Sequence, residues 1–189
     1  MAPLSRRSDS HSNSKVIQSI VFDLDDTLLD TTGLLIPIAK TPAFEQRIQQ
    51  PLPLMPGALE NLKSLQKMQI QLFLLTQGRE HFQKMKIQSL ALEEFFLKVC
   101  IVDGVQQTKR HGFEELIQQH NLIPHQTLSI GNRRSTDLRF AKQLGMSTCL
   151  FHYGEHKDEE IFCPEDHEDL RIEDHFQLLP ALKSSNFIA

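Results

Sequence analysis

Five short apolar runs and a weaker sixth recur along the chain: VIQSIVFDL (16–24), IQLFLLTQG (70–78), KVCIVDG (98–104), TLSIGN (127–132), STCLFHYG (147–154) and LRIED (170–174). They are brief, rich in branched residues and bounded by polar or glycine positions, which predicts buried strands. Helical spacing fills the intervals. GALENLKSLQKMQ repeats apolar residues at Leu59, Leu62, Leu65 and Met68, and FEELIQQHNL brings Phe113, Leu116 and Ile117 to one face, with Leu122 near its end. STDLRFAKQLGM does the same with Leu138, Ala141, Leu144 and Met146; Ser135 is the expected N-cap and Gly145 the expected residue just past the end. Alternating strand and helix patterns predict an α/β fold, a doubly wound, Rossmann-type parallel sheet covered on both faces.

One segment breaks the alternation. Residues 31–56 carry Pro37, Pro42, Pro51, Pro53 and Pro56, which leaves room for one short helix over 42–50. It reads as an insertion after the first strand. Near the other end, HFQLLPALK has Pro180 within its helical pattern, predicting a short or kinked helix.

Composition narrows the classes. The chain of 189 residues suits one core domain, residues 16–184, behind a Ser-, Arg- and Asn-rich disordered tail at 1–15. Twenty Lys and Arg against 24 Asp and Glu give a net charge of −4, without the basic footprint of a nucleic-acid binder. No apolar run approaches a membrane span, and MAPLSRRSDSHSNSK lacks the apolar centre of a secretory signal. Cys100, Cys149 and Cys163 are an odd number without CxxC spacing, as expected of a reduced, cytoplasmic protein. The late stretch with His152, His156, Cys163, His167 and His175 matches no strong zinc spacing, and its acids read as a solvated loop.

The chemistry lies where the strands end, since ligands of open α/β sheets bind beyond the carboxyl ends. The first run ends in Asp23, Asp25, Asp26 and Thr27, the second in Thr76 and Gln77, and the fourth in Asn132, with Asp137 five residues on; Lys109 follows the third. Asp26 reads as a solvated or helix-start acid, and Arg133 and Arg134 as loop arginines near the crevice. A carboxylate can attack a phosphoryl group and form an aspartyl-phosphate. Clustered acids hold a hard cation such as Mg²⁺, which offsets repulsion between nucleophile and phosphate. A hydroxyl and an ammonium stabilise phosphoryl oxygens, and a second carboxylate can protonate the leaving group.

In order and spacing, FDLDDTLLD, LFLLTQG, Lys109 and LSIGNRRSTDLRFAKQLGM resemble the four motifs of the haloacid dehalogenase (HAD) superfamily, over about residues 17–182. The resemblance is to the phosphatase type. It implies Asp23 as nucleophile and metal ligand, Asp25 as general acid/base with its backbone carbonyl on Mg²⁺, and Lys109 as the lysine that neutralises phosphorylated Asp23. Thr76 and Gln77 would bind the phosphate, Thr27 would brace the loop, and Asn132 and Asp137 would complete the metal site. Asp25 argues against the halide-cleaving members, which lack that acid.

Two departures qualify the resemblance. The fourth motif usually reads GD, and here reads GN, which removes a charge from the metal site at Asn132. The insertion at 31–56 is too short for a helical-bundle cap and predicts a small cap and an open mouth, favouring hydrolysis over a mutase. The leading expectation is an Mg²⁺-dependent phosphatase working on a phosphorylated small molecule or macromolecule. The alternative is a non-catalytic HAD-like binding module with a weakened metal site.

Overall fold

The computed structural model describes residues 16–188, so the expected tail at 1–15 lies outside the described residues. The strands are β1 (Ser19–Phe22), β2 (Gln71–Gln77), β3 (Lys98–Val102), β4 (Thr127–Gly131), β5 (Ser147–Phe151) and β6 (Leu170–Ile172). They form one sheet in the order β3-β2-β1-β4-β5-β6, with every pairing parallel. This is the expected doubly wound α/β sheet. The order reverses between β1 and β4, where ligands of such sheets bind.

Period-two alternation divides the core into two layers. Ile20, Phe22, Leu72, Leu74, Leu128 and Ile130 join one cluster, covered by α3 (Ala58–Lys67) through Leu62 and Leu65 and by α7 (Leu178–Ser184) through Leu178 and Leu182. Val21, Phe73 and Leu75 join the other, covered by α5 (Lys109–His120) through Phe113 and Leu116 and by α6 (Arg139–Gln143) through Ala141. All four β1 residues are buried, so burial on both faces explains its continuous apolar run.

Two local features differ from expectation. The helix expected from residue 135 is α6 preceded by a wider π-type turn over Arg134–Leu138, and the Ser135 hydroxyl bonds to Glu159 instead of capping it. Gly145 does take the left-handed conformation, at φ 83°. Pro180 sits in the first turn of α7, where a missing N–H costs little. A helix the apolar pattern did not reveal, α4 (Glu80–Ser89), joins β2 to β3.

The segment 31–56 holds α1 (Thr31–Leu34), one 3₁₀ turn and α2 (Pro42–Ile48), the short helix expected. It packs on α4: Phe44 meets Phe82 edge to face at 5.3 Å, and Leu52 N–H donates to the Ser89 carbonyl at 3.1 Å. Among the described residues, no helix is long and apolar enough to cross a membrane.

Candidate active site

The loop leaving β1 is tightly folded. The Leu24 carbonyl accepts from the amides of Leu28 and Leu29 at 2.9 and 3.0 Å, and Asp26 adopts a left-handed φ of 54°. Asp26 is buried, contrary to the solvated reading. Its carboxylate accepts from the Thr32 amide and hydroxyl, both at 2.7 Å, and from the Glu155 amide at 3.4 Å, so it ties α1 to the loop after β5. A Cβ on Gly154 would lie 2.2 Å from the Asp26 carboxylate, so only glycine admits this contact. Behind the loop, buried His175 bonds to the Thr27 carbonyl through Nε2 at 2.7 Å. Burial holds its ring below the ordinary histidine range, which fits a neutral imidazole donating to that carbonyl.

Asp23, Lys109 and Asp137 meet beyond the ends of β1 and β4. Lys109 Nζ lies 2.6 Å from Asp23 Oδ1 and also bonds to Asp137. Three local features bring them together. The Asp23 amide extends the ladder to the Ile130 carbonyl at 2.9 Å. Gly112 lets α5 approach the sheet, since a Cβ there would lie 2.3 Å from Leu75. Gly131 leaves the space that Asp137 occupies; a Cβ would meet its carboxyl carbon at 2.3 Å. The competing cations lie elsewhere: Lys98 pairs with Glu115, and Arg110 with Glu114.

Asp25, two residues on, has other neighbours. Its Oδ1 accepts from Lys86 Nζ at 2.6 Å and from the Thr31 hydroxyl, and its Oδ2 accepts from Gln83 Nε2 at 2.8 Å. Burial pushes the Asp23 carboxyl up to about 7, with Asp137 and Asp25 adding to the rise and Lys109 opposing it. Burial acts in the same direction on Asp25, but Lys86 and the three hydrogen bonds outweigh it and hold the group below the usual carboxylate range. Burial also opposes the charge on Lys109; Asp137 and Asp23 overcome it and hold the ammonium above the ordinary lysine range.

Asp23, Asp25, Gln77, Lys109, Asn132 and Asp137 line a cavity of about 140 Å³, joined by Asp26, Thr31, Arg133, Thr136, Glu155 and His156. Thr27 and Thr76, expected at the site, are fully buried and do not line it. The Thr76 hydroxyl accepts from Gln83 Nε2 at 3.2 Å, while the Thr27 hydroxyl oxygen has no partner among the described residues. Arg133 reaches the cavity wall, but Arg134 is buried and pairs with Glu168, so it is not a solvated loop arginine. Gln83 and Lys86, behind the cavity, and Thr31, in its wall, are residues of the site that the motifs do not reveal. The donor set fits Mg²⁺: two carboxylates, Asp23 and Asp137, and the amide of Asn132. That amide donates its nitrogen to the Tyr153 carbonyl at 3.4 Å, which leaves the oxygen as the group open to a hard cation.

Known proteins are similar to this chain in sequence and in fold. The family model described as haloacid dehalogenase-like hydrolase matches residues 42–151, a range that contains Thr76, Lys109, Asn132 and Asp137 and begins after the Asp23 loop. The chain is 32% identical over 133 residues to a glyceraldehyde 3-phosphate phosphatase of Pyrococcus furiosus, covering 69% of this chain and 55% of that protein. It is 27% identical over 130 residues to one of Methanopyrus kandleri, covering 68% of this chain and 56% of that protein. The chain thus spans little more than half the length of these two relatives. A predicted phosphoglycolate phosphatase from Haemophilus somnus has the same fold, with a TM-score of 0.71 at 16% identity over 87% of this chain and 97% of that one. So does the magnesium-bound HAD-hydrolase YfnB of Bacillus subtilis, with a TM-score of 0.67 at 19% identity over 88% and 99%. With more than half of its length matched by the family model and its sheet in the same fold, the chain belongs to the haloacid dehalogenase-like hydrolases.

Proposed function

We propose that the protein is an Mg²⁺-dependent phosphatase, a phosphoric monoester hydrolase acting through a phospho-aspartyl intermediate on Asp23. The observation that carries this reading is the convergence of Asp23, Lys109 and Asp137 on one small cavity at the switch point of the sheet. Bound through Asp23, Asp137 and Asn132, with the Asp25 backbone carbonyl as a further ligand, Mg²⁺ would supply charge that offsets repulsion between the carboxylate and a phosphate.

In this reading an Asp23 oxygen forms a bond to phosphorus as the bond from phosphorus to the ester oxygen breaks. Asp25 gives its proton to the departing oxygen; an incoming phosphate anion raises its affinity for that proton. Water then attacks the phosphorus of the aspartyl-phosphate and loses a proton to Asp25, releasing inorganic phosphate and restoring Asp23. Lys109 balances the charge on Asp23 throughout. Gln77 is a phosphate contact in the cavity wall, while Thr76 and Thr27 serve from behind it, Thr76 through Gln83 and Thr27 through the loop.

The substrate class is a phosphorylated small molecule. A cavity of about 140 Å³ accommodates the phosphoryl end, and the leaving group extends beyond it. The relatives named as glyceraldehyde 3-phosphate phosphatases support this class. Residues 16–184 are then the catalytic core and 31–56 its small cap. A cytoplasmic location accords with Cys100, Cys149 and Cys163 all being free thiols.

Asn132 favours one other reading, a binding module whose metal site is too weak for turnover. Phosphate release from p-nitrophenyl phosphate and a panel of sugar phosphates, with Mg²⁺ or with EDTA, separates the two. The phosphatase requires release that EDTA abolishes. Folded protein that neither releases phosphate nor binds Mg²⁺ supports the module.

A further inference from the structure

Lys86 and Gln83 stand outside the four motifs, yet both are buried and both touch Asp25. A buried ammonium is costly unless paired, and Asp25 is the carboxylate that Lys86 meets, at 2.6 Å. Gln83 is more telling. Its Nε2 serves Asp25 Oδ2 at 2.8 Å, the Gln77 carbonyl at 2.9 Å and the Thr76 hydroxyl at 3.2 Å, while its buried Oε1 has no partner among the described residues. Flipping the amide would turn an acceptor toward the acceptors on Asp25 and Gln77, so the orientation is fixed.

Both residues project from α4 at i and i+3, one face of the helix. Together with Thr31 they engage both oxygens of Asp25 and leave its carboxyl plane a single arrangement. Proton transfer depends on such alignment.

We propose that Lys86 and Gln83 are positioning residues that aim the Asp25 carboxyl at the leaving oxygen, so that α4 governs how well the site hydrolyses esters with poor leaving groups. This rests on the phosphatase reading, with Asp25 as the acid. An alkoxide needs a proton as it departs, whereas p-nitrophenolate departs without one. Damage to the alignment therefore changes the ratio of the two rates, which a general loss of structure does not.

The test is the ratio of kcat on an alkyl phosphate (glycerol 2-phosphate) to kcat on p-nitrophenyl phosphate, with Mg²⁺ saturating. It is read for the wild-type protein, Lys86→Met, Gln83→Leu, Asp25→Asn and the double variants Asp25→Asn/Lys86→Met and Asp25→Asn/Gln83→Leu. The ratio is expected to fall about tenfold or more in each single variant. In the Asp25→Asn background, adding either substitution is expected to lower it no further, because a residue acting through Asp25 has nothing left to position. Should Lys86→Met not fold, by far-UV circular dichroism, the Gln83→Leu cycle decides. An unchanged ratio in Lys86→Met and Gln83→Leu, or a further fall in the double variants, would overturn the proposal while leaving the phosphatase reading intact; an unchanged ratio in Asp25→Asn would overturn the proposal together with the role of Asp25 as the acid. Absence of turnover by the wild-type protein on both esters would overturn both.

Discussion

Asp23 and Asp25 leave the same strand two residues apart, share one cavity, and are driven in opposite directions. Asp23 shares its lysine with a second carboxylate, Asp137, so burial prevails and lifts it to about 7. Asp25 has Lys86 as its own cation and two neutral donors besides, so it is held low. Cations shared unequally between neighbouring carboxylates separate their proton affinities, and in the metal-free site the order is the reverse of the one the proposed roles use, so positive charge beside Asp23 and a phosphate anion beside Asp25 would have to invert it. Asp23 is short of positive charge, which a cation held with Asp137 would supply; Asp25 is not.

The comparison is most exposed to loss of Asp23. Asp23→Asn is expected to reduce Mg²⁺-dependent phosphate release on the order of 10³-fold or more, since the proposed covalent intermediate forms on Asp23. Steady-state assays of folded variant protein check this. Asp25→Asn is expected to cost about 10²-fold on an alkyl ester, with a smaller loss on p-nitrophenyl phosphate, if proton transfer is the role of that side. Equal losses on both esters would erase the distinction drawn between the two carboxylates.

Stability against pH gives a sharper contrast. In metal-free protein, unfolding lets Asp23 ionise near 3.8 while the folded state retains the proton to about 7. The folded state therefore binds more protons across that window, and stability falls as pH rises through it. Asn at 23 removes that loss, so Asp23→Asn is expected to be more stable than wild type at pH 8 by a few kcal/mol, roughly. Asp25 is the reverse case. Its stabilisation is present above the unfolded value of 3.8 and is lost as pH falls through its depressed folded value. Asp25→Asn is thus expected to be less stable than wild type at pH 8. Urea titrations in EDTA at pH 4, 6 and 8 read both signs.

The smallest expected effect concerns the metal. Asn132→Asp restores a carboxylate to the Asp23 side and is expected to tighten Mg²⁺ about tenfold, of the order of 1.4 kcal/mol. Calorimetric titration of Mg²⁺ into folded protein measures it. Unaltered affinity would mean that Asn132 is not a ligand.

The two sides also differ in how far the sequence reveals them. Everything on the Asp23 side sits at a strand end or at the first turn of the next helix, and short continuous apolar runs mark those ends plainly. Even Gly131, which makes room for Asp137, is visible as part of GNRRSTD. The Asp25 side depends on α4, and α4 lacks the signature. Its buried positions are Gln83, Lys86 and Ile87, two of them polar, so no apolar stripe announces a helix. The residues that escape sequence reasoning here are those whose burial is electrostatic. Asp26 escapes for a related reason: its partners, Thr32 and the Glu155 amide, lie six and 129 residues away. His175 likewise meets the Thr27 carbonyl across 148 residues. In the turn before α6, Ser135 bonds to Glu159 and Arg134 to Glu168, contacts from a loop whose acids read as solvated.

The central claim is that phosphate passes through Asp23. Acid quenching within one turnover, using a ³²P-labelled ester and Mg²⁺, followed by peptide mapping, tests it most directly. The account predicts label bound to the protein as a base-labile acyl phosphate, confined to the peptide bearing Asp23 and absent from Asp23→Asn. Phosphate release without protein labelling, in an Asp23→Asn protein that still turns over, would contradict it.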